Sequence, residues 1–220
     1  MSRGMRDMLR GLPVFAGPLG SFYPETAPED PLGLFREWFA EAVEVGVHEP
    51  HAMTLATADA EGAPSARILI MKDLTEQGWW FAGTTTSVKG RDLAANPNAA
   101  LLFFWGEQGR QVRVRGLAEL ATPPERAADF RNRPLEGRVA GLHGKQSEPL
   151  EEPSEVHREA EKSRARLEAD PGLVPENWGL YLVRPYQVEF WQAVPDRRHI
   201  RLSYTRTGPE EAWESLLLWP

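Results

Sequence analysis

The chain has 220 residues, 41% of them apolar and including eight Trp and nine Phe, enough to bury a substantial core in one large or two small domains. Its formal charge of −7 argues against a general nucleic-acid binder, which needs an excess of Lys and Arg to neutralise phosphates. Cysteine is absent, which excludes disulfides, thiolate metal sites and a Cys nucleophile.

The opening MSRGMRDMLRGLPVF lacks the continuous apolar stretch of a secretory signal. No apolar run approaches the roughly 20 residues that span a bilayer. A cytoplasmic protein without a membrane partner is therefore expected. Residues 1–29 are rich in Gly and Pro and read as an extended arm, with residues 30–220 as a single domain. Asp30-Pro31 is a helix start, an N-cap followed by Pro at the first helical position. Leu32, Phe35, Phe39 and Val43 follow at helical spacing, and Gly46 can end the helix.

From Met53 the period changes. AMTLATAD, ARILIMKD, GWWFAG, AALLFFWG and RQVRVRGLAEL are short β-rich runs. The turns DAEG (Asp59–Gly62), TEQG (Thr75–Gly78) and EQG (Glu107–Gly109) lie among them, the spacing of an antiparallel meander or barrel. Ser87 caps a helix, VKGRDLAAN, that stops before Pro97. Thr122-Pro123 starts another through about Asn132, and Ser154–Ala169 reads as a solvated helix with its own Ser cap. GLYLVRP, QVEFWQA and RLSYTR are strand-like, with EAWESLLLWP last. The fold class is mainly β (α+β), a β-barrel with helices packed around it.

Several places concentrate chemistry. In ARILIMKD, alternation puts Arg67, Leu69 and Met71 on one face and Ile68, Ile70 and Lys72 on the other. The two cations either snorkel to water at the strand ends or reach two separate anionic groups. TTTSVKGRDL offers hydroxyls, free N–H groups, a helix N-terminus and Lys89 in the first turn: a phosphate cradle or an ordinary capped helix. Arg113 and Arg115 read as a solvated face. The five histidines show no metal-ligand spacing, so no metal is expected. In FWQAVPDRRHIR an extended continuation would point Arg197, His199 and Arg201 the same way and favour an anion there.

Taken together, ARILIMK, SVKGRDLAANP, RQVRVRG, the RNRP and GKQS pair and EFWQ…RRHIR resemble the pyridoxamine 5′-phosphate oxidase family, in order and spacing over roughly residues 30–220. The resemblance implies an FMN-binding split β-barrel and a homodimer with FMN at the subunit interface. It also implies hydride transfer from a small aromatic substrate to flavin N5, with molecular oxygen as the final acceptor. By position, Arg67 and Lys89 match ligands of the FMN phosphate, with Ser87 at the same turn and the strand containing Ile68 and Lys72 running past the flavin. Gln111, Gln146, Ser147, Trp191 and Arg201 match further FMN contacts. Lys72 and Arg133 match cations for the substrate phosphate, and Arg197 and His199 match the catalytic residues that cover the substrate ring.

Some positions depart from that pattern. The Tyr and Ser that assist Arg133 are Asp129 and Gly137 here, and Val88 replaces an Arg beside Lys89. Ile200 replaces an Asp, LLLWP lacks the usual Arg, and Val14–Gly17 offers no basic-aromatic cover. The FMN half of the pattern is kept and the phosphate end of the substrate half is eroded, as in the phenazine-biosynthesis flavin oxidases, which HEPHAMTLATAD, KGRDL and KQSEPL also resemble. Three readings follow: oxidation of pyridoxamine or pyridoxine 5′-phosphate, oxidation of a phosphate-free dihydro-aromatic intermediate, or a non-catalytic FMN-binding split barrel.

Overall fold

The computed structural model describes residues 4–15 and 17–220. The first segment holds a short helix, α1 (Met5–Arg10), with no buried residue. It is thus not extended throughout, and its later part is tied to the body: Phe22 is buried and the Ser21 carbonyl accepts from Arg110 at 3.0 Å. The Asp30 carboxylate accepts the N–H groups of Leu32 and Gly33, each at 3.1 Å, and starts α2 (Pro31–Glu44) as the Asp-Pro pair predicts. Of the stripe read from spacing, Leu32 and Phe35 are buried and Phe39 packs against the core, and the buried face also takes in Leu34, Trp38 and Ala42. Val43 is 55% exposed, because the helix turns Trp38 inward between Phe22 and Phe190.

The strands follow as β1 (Ala52–Ala58), β2 (Pro64–Ile70), β3 (Asp73–Thr75) and β4 (Gly78–Thr84). After α3 (Val88–Ala95) come β5 (Asn98–Trp105) and β6 (Arg110–Leu120). Three helices, α4 (Pro123–Arg131), α5 (Leu135–Leu142) and α6 (Ser154–Ala169), precede β7 (Trp178–Gln192), β8 (Ile200–Thr205) and β9 (Glu214–Leu217). They form one curled antiparallel sheet in the order β2-β1-β5-β6-β7-β4-β3, with β8 and β9 added beside β7. The expected α+β split barrel is what forms.

The α4 start is fixed by the Glu125 carboxylate, which accepts from the Thr122 N–H at 2.8 Å. Ser154 does not cap α6; its hydroxyl donates to Glu152 and accepts from Arg158. Nor is α6 wholly solvated, since Leu167 joins Phe130, Val139, Leu142 and Trp178 in a small second core. The helix α5 and the short β3 escape the sequence reading. α5 carries two glycines and starts after a Pro, and β3 occupies part of what reads as a turn.

The main core lies between α2 and the sheet. Phe35 sits 5.3 Å from Trp79, 4.9 Å from Phe103 and 5.9 Å from Trp105, between ring centroids, and all four side chains are almost fully buried. One buried cation, Arg110, ties α2, β7 and the incoming segment together. It pairs with Glu41 at 2.6 Å, donates to Gln192 at 2.9 Å and lies 4.3 Å over Trp38. Its side chain is 2% exposed, so every donor must find a partner inside the protein. Arg110→Met should lower unfolding free energy by about 2–3 kcal/mol, the scale of charge-assisted hydrogen bonds lost from a buried site. Chemical denaturation would measure it.

Candidate functional site

The sequence-predicted residues separate into two groups. The first surrounds the start of α3. Ser87 ends a turn after β4: its hydroxyl donates to the Thr84 carbonyl at 2.7 Å and accepts the Gly90 N–H at 3.3 Å. That geometry turns Lys89 back into the fold, where it is 4% exposed. Its ammonium meets only neutral acceptors, Ser87 Oγ at 3.1 Å and Gln146 Oε1 at 2.8 Å. Gly83 leaves the room it occupies, since a Cβ there would overlap the lysine side chain.

Arg67 is held on β2 by contacts that sequence reasoning missed. It donates to Thr57 Oγ1 and to Ser65 Oγ, both at 2.7 Å, and buried Thr57 donates to Asp92 at 2.7 Å. Asp92 itself lies 3.9 Å from Arg67. The motif KGRDL contains this Asp, but only the fold sets it beneath the arginine. Burial and, second to it, the neighbouring Arg67 charge together lower the pKa of Lys89 to about 8. Two cations held together, with neutral oxygens around one of them, form a site that an anion completes. A phosphomonoester such as that of FMN fits this donor set of ammonium, guanidinium and hydroxyl.

The same cleft extends toward α4 and α5. A cavity of about 320 Å³ is lined by Leu69, Lys89, Arg133, Gly141, Gln146 and Trp178, among others. Leu69 and Arg67 share the inward face of β2, as predicted, while Ile68 is 72% and Ile70 42% exposed. The strand ends at Ile70, so alternation does not carry on to Lys72. Lys72 instead pairs with Asp129 at 3.2 Å. Asp129 also accepts from Trp178 Nε1 at 2.9 Å, and Arg133 lies 4.5 Å over the Trp178 ring. Gly137 faces Arg133, with a hypothetical Cβ only 3.1 Å from its Nη2. Ser147, exposed at φ 74°, closes the turn after Gln146 and makes no side-chain hydrogen bond.

The second group sits where β6, β7 and β8 meet. Gln111 faces Trp191 across β6 and β7, and Trp191 faces Arg201 across β7 and β8. The His199 ring lies 4.7 Å from Trp191 and its Nδ1 accepts the Val194 N–H at 3.2 Å. The extended continuation expected through Arg197 does not form. The chain turns there, Arg197 at φ 65° is exposed, and β8 begins only at Ile200.

Arg201 is not a free cation. Its Nε and Nη2 reach Glu189 Oε1 at 3.0 and 2.9 Å, and its Nη1 donates to the Trp219 carbonyl at 2.8 Å. The other Glu189 oxygen takes Arg113, which is paired while its side chain stays 42% exposed on the expected solvated face. Arg115 keeps the exposed position expected of it. Although Val14–Gly17 shows no basic-aromatic cover, Phe15 packs 5.6 Å from Trp191 and 6.3 Å from His199, between centroids. Ala16 lies outside the described residues. Among those described, no hydrogen bond or ion pair joins the two groups. Among the described residues no group of His, Asp and Glu side chains could hold a metal, and no helix is long and apolar enough to cross a membrane.

Comparison with known proteins places this arrangement. Residues 39–167 match the family model described as pyridoxamine 5′-phosphate oxidase. Residues 178–220 match the pyridoxine 5′-phosphate oxidase C-terminal dimerisation region, which contains the whole second group except Gln111. A pyridoxine/pyridoxamine 5′-phosphate oxidase of Rubrobacter xylanophilus is 42% identical over 88% of this chain and 88% of its own. One of Pseudomonas paraeruginosa is 44% identical over 81% and 84%. Among solved structures, PhzG from Burkholderia lata, in complex with tetrahydrophenazine-1-carboxylic acid, superposes with a TM-score of 0.85. It is 29% identical, covering 93% of this chain and 100% of that one. A pyridoxamine 5′-phosphate oxidase-related, FMN-binding protein of Nostoc punctiforme shares the fold, with a TM-score of 0.71 at 21% identity over 87% of this chain and 98% of that one.

A phosphate bound beside Lys89 would sense the titration of this ammonium. With its pKa depressed to about 8 in the free protein, the ammonium is charged below that value and lost above it. FMN affinity, read by flavin fluorescence quenching, should be highest near pH 7–7.5, where the phosphate is a dianion and Lys89 is still charged, and fall through pH 8–9.5. Lys89→Met should bind more weakly and flatten the fall.

Proposed function

The chain belongs to the pyridoxamine 5′-phosphate oxidase family, and on that premise we propose that it is an FMN-dependent oxidase of a flat, reduced aromatic substrate. The observation that carries this reading is the buried ammonium of Lys89 beside Arg67, with no carboxylate partner of its own among the described residues. Lys89, Arg67, Ser87 and Gln146 hold the FMN phosphate, and β2 at Ile68 lies along the flavin. When bound, FMN supplies the two-electron acceptor that takes a hydride from a substrate C–H at N5 and passes the electrons to oxygen.

The remaining residues are assigned by what each can reach. In the homodimer a second copy supplies Trp191 and Arg201 to the flavin, a role supported by the match of residues 178–220 to a dimerisation region, together with Gln111, which faces Trp191 across β6 and β7. Arg201 contributes as a member of a fixed pair with Glu189, its guanidinium already oriented. His199 is oriented by the Val194 N–H at Nδ1, which leaves Nε2 for the substrate side. Arg197, exposed, together with His199 and Phe15, covers the substrate ring and excludes water from it.

Pyridoxamine or pyridoxine 5′-phosphate is the substrate that the names of the curated relatives support. A phosphate-free ring system is favoured by one specific observation: Lys72, a cation matched to the substrate phosphate, is neutralised by Asp129 at 3.2 Å.

The purified protein should be yellow and should consume oxygen with pyridoxamine 5′-phosphate or with a dihydrophenazine carboxylate. No bound flavin and no turnover of either would sink the proposal. Bound flavin without turnover would mark a non-catalytic carrier. Replacing both Arg67 and Lys89 with Ala should give colourless, folded protein with FMN affinity lowered at least about 100-fold, the scale of two lost charge-assisted contacts. Unchanged FMN content overturns their assignment.

A further inference from the structure

Asn177, the residue just before β7, ties together two segments at the phosphate end of the cleft. Its backbone carbonyl accepts the Thr85 N–H at 2.8 Å. Its side-chain Nδ2 donates to Thr86 Oγ1 at 3.1 Å and to the Gly144 carbonyl at 3.4 Å. The Thr86 hydroxyl donates in turn to the same Gly144 carbonyl at 3.3 Å, which closes a ring. Gly144 has a φ of 68°, and a Cβ there would lie 2.7 Å from Asn177 Nδ2, so glycine is what lets the amide seat against the loop.

The loop so fastened, residues 143–147, has no helix or strand of its own and carries Gln146. Beyond this clasp, Lys145 makes a loose ion pair with Glu159 at 3.8 Å. The other hydrogen bonds that join the loop to the body, among the described residues, are those of Gln146 Oε1 itself, with Lys89 at 2.8 Å and Thr84 at 3.3 Å. His143, Gly144 and Gln146 wall the same cavity as Lys89. The placement of this loop therefore decides whether the buried ammonium keeps its amide acceptor and whether the cavity keeps that wall.

We propose that Asn177 is a positioning residue: with Thr86 it clasps the 143–147 loop against the phosphate cradle, seats Gln146 on Lys89 and sets the rate at which FMN leaves. Asn177 acts through the loop rather than on the anion. An amide suits the place, because its N–H groups reach a hydroxyl and a carbonyl together and it adds no negative charge near the cradle. Releasing the loop withdraws Gln146 and opens the wall, which speeds dissociation. Association, governed by encounter with the two unchanged cations, stays nearly the same. The proposal rests on the assignment of the FMN phosphate to this cradle.

The test follows flavin fluorescence as FMN-loaded protein releases its cofactor on rapid dilution, with association measured by mixing. Asn177→Leu keeps the volume and loses both donors. It should speed release at least about tenfold, the scale of one or two neutral hydrogen bonds, and change association less than about twofold. Thr86→Val should act the same way, and Thr86→Ser, which keeps the hydroxyl, should release FMN at the wild-type rate. In a Gln146→Ala background Asn177→Leu should add little, because the residue it positions is gone. Release unchanged in Asn177→Leu and Thr86→Val overturns the proposal. So does an equal acceleration with and without Gln146, or an effect confined to association. Wild-type protein that binds no FMN overturns the cofactor reading as well, whereas FMN bound with release indifferent to the clasp sinks this inference alone.

Discussion

The strand β7 is the constraint on which the rest of the structure depends. Over its length it pairs with β6 on one side, while on the other it pairs first with β4, from Trp178 to Val183, and then with β8, from Gln187 to Gln192. The change of partner falls at Pro185, which has no N–H to donate, beside a register shift between Arg115 and Gly116. The chains approach so closely there that a Cβ on Gly116 would overlap the Arg184 carbonyl. Arg206 satisfies what the bulge leaves open: its N–H donates to the Tyr186 carbonyl at 3.0 Å and its Nε to the Pro185 carbonyl at 2.9 Å.

Because β7 is continuous, it fixes the two halves of the candidate site. Its first residue, Trp178, bonds Asp129 and supports Arg133; near its end, Trp191 packs at a tilt against His199 and Phe15. Among the described residues no hydrogen bond or ion pair joins the halves, and the C-terminal half, Gln111 apart, lies in the segment that matches a dimerisation region. An acidic protein therefore gathers cations at separated points and balances each differently. Glu189 quenches Arg113 and Arg201, Asp129 quenches Lys72, and Lys89 keeps its charge against burial with only neutral oxygens beside it. What a cation binds is decided by whether a carboxylate has reached it first.

Much of this was legible in order. The alternating runs from Ala52 to Leu120 became strands nearly as bounded by their turns, because one face of each is buried and the period-2 pattern records that. Asp30, Ser87 and Thr122 each mark a helix start, since capping is a local interaction between neighbours in sequence. Lys89 in the first turn of α3 carried a visible oddity, a cation at the positive end of a helix dipole. The unbroken β7 was hidden, because Pro185 reads locally as a strand breaker and only a bulge against β6 makes it tolerable. The inward face of α2 was misread at Val43, since Trp38 rather than spacing alone chose the orientation.

By itself the sequence determined the succession of elements, the family pattern and the identity of each polar group that could serve a phosphate or a flat ring. These depend on residue type and on neighbours a few positions away. Only the tertiary structure decided which of those groups remain free. Asp129 sits 57 residues from Lys72 and 49 from Trp178, and Glu189 lies 76 residues from Arg113. Charge neutralisation acts through space at hydrogen-bonding distance, and no spacing along the chain records which carboxylate the fold will bring to which cation.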